Sequence, residues 1–148
     1  MNLRRILFPT DFSEFDDAAL QFASQLAAES GAFLYIVHSD DMEQAVELMR
    51  DTEYAYPSPW DNQGVRESHR RLDQVVPTLA GVKHQHCYLR GTATGEIIKF
   101  AEEQEVDLIV MASHGRTGLR RLLMGSTAEN VMRQAPCPVL IVKQPTKS

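Results

Sequence analysis

Apolar runs four to six residues long recur along the chain and alternate with stretches whose apolar positions follow a helical period. Short continuous runs suit strands buried on both faces, and their alternation with amphipathic helices predicts an open parallel sheet covered on both sides. Five strands are predicted: Arg4 to Pro9 (RRILFP), Phe33 to His38 (FLYIVH), Lys83 to Leu89 (KHQHCYL), Asp107 to Met111 (DLIVM) and Pro138 to Val142 (PVLIV). A helix capped by Ser13 or Asp11 joins the first two, with Ala18, Leu20, Phe22, Ala23, Leu26 and Ala27 on its apolar face and Gly31 as its stop. Further helices are predicted from about Gly64 to Leu79 and from Gly95 to Gln104. Ser126 and Glu129 have capping-box spacing and place the start of a last helix at Gly125–Ser126. Residues 40–62 begin with a helical pattern (MEQAVELMR) and end in an aromatic, Pro-containing stretch (YAYPSPW) suited to a lid or an interface.

Parallel strands need crossovers, and a reversal in strand order opens a crevice at their carboxyl ends. With the order 3-2-1-4-5, the ends of the first strand (Thr10, Asp11), the second (Ser39, Asp40) and the fourth (Ala112 to Gly115) meet there. The most informative segment is therefore Ala112 to Asn130, ASHGRTGLRRLLMGSTAEN, which runs from a strand end through a basic glycine-containing loop into a helix start. A helix N-terminus offers N–H groups without intrahelical acceptors and a partial positive charge, and hydroxyls at Ser126 and Thr127 add donors. Gly115, Gly118 and Gly125 permit tight turns and close approach of backbone to a ligand. By composition alone the segment reads either as an anion cradle or as a turn with solvated arginines. It contains neither the Walker loop nor the dinucleotide fingerprint, since the chain has no GK[ST] and no GxGxxG.

Composition narrows the functional classes. The 148 residues are 43% hydrophobic, enough for one domain with a core of its own, and the net charge of −5 argues against general binding to nucleic acid or to an anionic membrane. Arg116, Arg120 and Arg121 form a local exception. No stretch approaches the roughly 20 apolar residues of a membrane span, and the basic start MNLRRILF is cut short by Pro9, Thr10, Asp11 and Ser13 before it could serve as a signal peptide. Cys87 and Cys137 lack CxxC spacing, so a cytoplasmic protein with free thiols is expected. Cys137, between Pro136 and Pro138, reads as a small buried hydrophobe. His84 and His86 share one face of their strand while Cys87 points to the other, which excludes a simple three-ligand metal site. His114, inside the loop, suits a phosphate donor or a solvent-facing residue.

The loop, the opening ILFPTDFS, the VHS ending the second strand and the closing APCPVLIVK together resemble the universal stress protein family, in its adenine-nucleotide-binding branch, over nearly the entire chain. The branch's motif is Gly, two residues, Gly, nine residues, Gly, then Ser or Thr. Here Gly115, Gly125 and Ser126 meet it, and Ala112 stands at the first glycine. The resemblance implies a Rossmann-like α/β fold and ATP as ligand, with Mg²⁺ on its phosphates. It implies that Asp11 bonds the adenosine beside Pro9 and Thr10, that the Ser39 backbone reads adenine, that Met111 and Ala112 border the site, that Gly115 and Arg116 meet phosphates, and that Gly125, Ser126 and Thr127 hold the far phosphates. Ala112 places affinity in question, because alanine adopts positive φ less cheaply than glycine. The resemblance also implies a homodimer through Pro138–Val142, which would cover an apolar sheet edge. With no evident general base, paired carboxylates or nucleophile–His pair near the loop, the expected role is a nucleotide-responsive stress regulator and not an enzyme. A family member working through protein partners alone, and a weak ATP hydrolase of the same fold, are the alternatives.

Overall fold

The structure, a computed structural model, describes residues 2–41, 61–113 and 124–144. Its five strands are β1 (Arg5–Pro9), β2 (Phe33–Asp40), β3 (His84–Arg90), β4 (Leu108–Ala112) and β5 (Val139–Val142), all parallel in the order β3-β2-β1-β4-β5. The helices are α1 (Asp17–Ser30), preceded by a 3-10 turn at Glu14–Asp16, α2 (Asn62–Gln74), α3 (Ala93–Glu103) and α4 (Ser126–Gln134). This is the predicted sheet and the predicted order.

Alternation along the strands divides the apolar side chains between two cores. Ile6, Phe8, Leu34, Ile36, Val110 and Ala112 pack with Ala19, Ala23 and Ala27 of α1 and Leu72 of α2. Leu7, Val37, Ile109 and Met111 pack on the other side with Ile97, Phe100 and Ala101 of α3 and Ala128 and Val131 of α4. A central strand whose successive residues enter opposite cores has no polar face, which is why β1 and β4 are unbroken apolar runs. Gly31 ends α1 with φ 76° and its N–H on the Ala27 carbonyl, a left-handed cap that a side chain would strain. At the start of β1, the Asp107 carboxylate accepts the N–H groups of Arg4 and Arg5 at 2.9 and 3.0 Å and ties β1 to the entry of β4.

Several boundaries differ from the sequence reading. α2 runs from Asn62 with Asp61 as its cap and stops at Gln74 instead of continuing to Leu79, since Pro77 cannot extend a helix and restricts Val76 before it. α3 starts two residues early because Thr92 caps it, its hydroxyl accepting from the Gly95 N–H. β2 extends to Asp40, paired with Arg90 of β3. α1 is capped by neither Ser13 nor Asp11 but follows the 3-10 turn, with Asp16 as N-cap residue. The Ser126–Glu129 capping box does not form. Gly125 occupies the N-cap position, Ser126 is the first helical residue, and Glu129 pairs with Arg133 one turn on, at 2.7 Å. The helix-like pattern at 42–50 and the aromatic stretch at 54–60 lie outside the described residues.

Candidate functional site

The strand order reverses between β1 and β4, which are hydrogen-bonded neighbours, so the loops leaving their carboxyl ends start side by side. The β1 loop is heavily tied. Thr10 donates its N–H to the Val37 carbonyl of β2 at 2.8 Å and its hydroxyl to Asp16 Oδ2 at 2.6 Å, and its carbonyl lies 2.7 Å from His38 Nδ1. The Thr10 hydroxyl also accepts the Phe12 N–H, and Asp11 Oδ1 accepts the Ser13 N–H at 2.9 Å, an Asx turn that fixes the Asp11 carboxylate. Asp16 Oδ2 takes a second hydrogen bond from the Asp11 N–H. Burial first, and then the negative charge of Asp11, push the Asp16 carboxyl up from 3.8 to about 7, against the hydrogen bonds that favour its ionised form.

Phe12 follows with φ 68°, a left-handed backbone that a bulky residue rarely adopts. The conformation is held because the ring is sandwiched. It lies 4.1 Å from the His38 ring on β2, and the Arg71 guanidinium of α2 stands 4.7 Å over its centroid. His38 in turn meets Asp40 Oδ1 through Nε2 at 2.9 Å, and Asp40 accepts from Ser68 of α2 and, at 2.6 Å, from Tyr88 of β3. Burial alone would raise the Asp40 carboxyl, but the bonds from His38, Tyr88 and Ser68 outweigh it and hold it below its ordinary value. Burial and the bond to Asp40 push the Tyr88 phenol up to about 12. The Ser39 hydroxyl, on the opposite side of β2, donates to the Gly91 carbonyl at 2.9 Å and joins the β3–α3 turn to the rim.

On the β4 side, Ser113 is buried, its N–H donating to Val142 of β5 and its carbonyl accepting the Gly125 N–H. The chain therefore departs after Ser113 and returns at Gly125 directly beside its point of departure, so that α4 begins at the end of β4. The N–H groups of the first turn, at Ser126 to Ala128, have no acceptor within the helix, whereas the Glu129 N–H reaches the Gly125 carbonyl. Ala112 is an ordinary strand residue paired with Val142, its methyl in the α1 core. Among described non-glycine residues only Phe12 and Glu105 have positive φ, so the conformational objection to alanine at 112 does not arise. Gly125, at φ −73° and ψ 162°, likewise does not need glycine's conformational freedom; what it contributes is the absence of a side chain.

The crevice thus brings together Pro9, Thr10 and Asp11 with Met111, Ala112, Gly125, Ser126 and Thr127, with Ser39 one strand away. Met111 is buried against α3 and α4, so only its backbone borders the site. His114, Gly115, Arg116, Gly118, Arg120 and Arg121 lie outside the described residues. Among the described residues no group of three His, Cys, Asp or Glu could hold a metal ion, and His86 is engaged with the Val75 carbonyl. Asp16, His38 and Phe12 are neighbours of the β1 loop that the sequence reading did not single out, whereas strand order had already brought Asp40 there. The available signal was polar chemistry, a His and an Asp ending an otherwise apolar strand.

Comparison with known proteins bears on this arrangement. The model of the universal stress protein family matches residues 2–143. Universal stress protein MJ0531 of Methanocaldococcus jannaschii is 35% identical over 144 residues, covering 97% of this chain and 84% of that protein. Universal stress protein MJ0577 of the same organism is 30% identical over 154 residues, 95% of each. The solved MJ0577 structure superposes with a TM-score of 0.81 over 99% of this chain and all of that one. A universal stress protein of Archaeoglobus fulgidus solved in complex with dAMP shares the fold at 22% identity and a TM-score of 0.68, over 95% of this chain and 98% of that one.

Proposed function

The chain belongs to the universal stress protein family, and from that premise we propose that it binds adenine nucleotide, ATP in particular, at the β1–β4 crevice and acts as a nucleotide-responsive stress regulator. The observation that carries the reading is the return of Gly125 onto Ser113, which sets the N-terminus of α4 at the strand-order reversal next to the constrained Thr10–Asp11 loop. Helix N–H groups with no intrahelical acceptor, a glycine without a side chain and two hydroxyls suit phosphate oxygens. The Asp11 carboxylate, oriented by Ser13, suits a ribose hydroxyl. The buried Ser13 hydroxyl, which has no hydrogen-bond partner among the described residues, fits a site with hydrogen-bonding capacity left for a ligand. The dAMP complex of the A. fulgidus protein supports an adenine nucleotide in this fold.

Mg²⁺ would arrive on the nucleotide's phosphates, its usual mode, since the described residues supply no protein cage. Since the sequence offers no paired carboxylates and no nucleophile–His pair near the loop, we take the role to be binding and not efficient hydrolysis. We place the protein in the cytoplasm and pair two copies through β5, whose four residues are all half-exposed at the sheet edge.

Calorimetric titration with ATP, ADP and AMP, with and without Mg²⁺, tests the reading. Wild type is expected to bind ATP, and Gly125→Val, which sets a branched side chain at the helix start, to lose at least tenfold in affinity, about 1.4 kcal/mol. Absence of ATP heat in wild type would refute the function, and equal binding by the variant would move the site elsewhere.

A further inference from the structure

The buried polar network of His38 and Asp40 meets the β1 loop at the Thr10 carbonyl. Strand β2 is apolar up to His38, a buried residue whose two ring nitrogens meet different partners. Nδ1 lies 2.7 Å from the Thr10 carbonyl and Nε2 lies 2.9 Å from Asp40 Oδ1. A carbonyl only accepts, so Nδ1 carries the hydrogen that meets Thr10, and Nε2 faces the Asp40 carboxylate. Asp40 is held by the Tyr88 phenol from β3 and the Ser68 hydroxyl from α2, and the Phe12 ring covers the imidazole with Arg71 beyond it. The ring therefore has one orientation available.

We propose that His38 is the positioning residue of the nucleotide site: by donating Nδ1–H to the Thr10 carbonyl it fixes the Thr10–Asp11 peptide from which Asp11 is presented, with Asp40 setting the orientation of the ring. The proposal rests on the nucleotide reading above. Its physical content is that the Thr10–Asp11 peptide is clamped from both sides. On one side the Asp11 N–H and the Thr10 hydroxyl meet Asp16 Oδ2; on the other, the Thr10 carbonyl meets His38. Release of the carbonyl frees that peptide to rotate and takes the Asp11 carboxylate with it, whereas a side chain at 38 that keeps its donor on Thr10 keeps the clamp without a bond to Asp40. α2, which follows residues 42–60 in the chain, is thereby linked through Ser68 and Asp40 to the ligand-facing loop.

Two substitutions separate the two nitrogens. In His38→Asn the side-chain amide nitrogen reaches close to the place of Nδ1 and keeps a donor for Thr10, while Asp40 loses its bond from the ring and keeps those from Ser68 and Tyr88. In His38→Gln the longer amide reaches toward Asp40 and leaves the Thr10 carbonyl unpaired. Both variants lose one buried hydrogen bond, so similar falls in melting temperature are expected. In ATP titrations His38→Asn should recover most of the wild-type affinity, and His38→Gln should bind at least tenfold more weakly.

Equal losses in both variants would mean that the residue serves only the fold, and unchanged affinity in both would mean that the clamp is irrelevant; either overturns the proposal. A wild type that fails to bind ATP overturns the nucleotide reading instead, and this inference with it. A measurement on wild type alone covers the case in which the variants do not fold. The His38 ring Nδ1–H should give a slowly exchanging proton resonance that moves on saturation with ATP, and a resonance unmoved by saturation would refute the clamp.

Discussion

Replacing Asp16 by asparagine should stabilise the protein in a way that depends on pH. Asp16 is buried, accepts the Thr10 hydroxyl and the Asp11 N–H on one oxygen, and is pushed up from 3.8 to about 7 by burial and then by the charge of Asp11. Between those values the folded chain holds a proton that the unfolded chain has released. The contribution of this group to stability is therefore complete below about pH 4, falls as pH rises, and is gone above about pH 7. At about 1.4 kcal/mol for each tenfold change in proton affinity, ionising Asp16 in the fold costs up to ~4 kcal/mol at pH 8 and up to ~1.5 kcal/mol at pH 5. Asparagine cannot ionise, yet its carbonyl can accept both hydrogen bonds and its amide can face the Asp11 carboxylate. Relaxation of the loop will absorb part of the difference, so the stabilisation of Asp16→Asn relative to wild type should grow by at least ~1 kcal/mol from pH 5 to pH 8. Urea denaturation of both proteins at the two pH values, with linear extrapolation, measures this; titrating groups distant from Asp16 cancel in the comparison, and Asp11, whose charge acts on Asp16, belongs to the difference measured. A difference constant to within ~0.5 kcal/mol would refute the reasoning, because it would mean that Asp16 meets no desolvation or charge cost on folding.

Two further outcomes follow from groups distant from the crevice. Asp107→Ala removes the acceptor for the Arg4 and Arg5 N–H groups and should cost ~1–3 kcal/mol in urea denaturation, with Asp107→Asn recovering about half; a cost below ~0.5 kcal/mol would show that water replaces the carboxylate. The thiols of Cys87 and Cys137 are pushed up by burial, in Cys137 with the charge of Asp107 added, so at neutral pH both should react slowly with a thiol reagent in the native state and at once in denaturant. A native burst at the free-thiol rate would contradict that.

Most of the fold was legible because its causes are local or periodic. The apolar runs of β1, β2 and β4 reported burial, that of β5 became a half-exposed edge strand, Gly31 reported the end of α1, and alternation of strand and helix reported the parallel sheet. Misplaced boundaries trace to competition among near neighbours. Ser126 had the spacing of an N-cap, but the Gly125 N–H is drawn to the Ser113 carbonyl, which places the cap one residue earlier and releases Glu129 to Arg133. In the same way Asp11 and Ser13 resembled caps, but their polar groups serve the turn that precedes the helix.

The candidate site was legible in part. Motif spacing pointed to Gly125 and Ser126, and strand order pointed to Thr10 and Asp11, since both depend on what a strand end and a helix start present. The environment of Asp16, the sandwich of Phe12 between His38 and Arg71, and the bond from His38 to the Thr10 carbonyl depend on residues up to about sixty positions apart. By itself the sequence determined where the backbone would leave polar groups for a ligand, because strand ends and helix starts follow from periodicity and glycine placement. Only the tertiary structure decided which side chains hold that backbone still, because charge burial and hydrogen-bond pairing across α2, β2 and the β1 loop arise only once the sheet has brought them together.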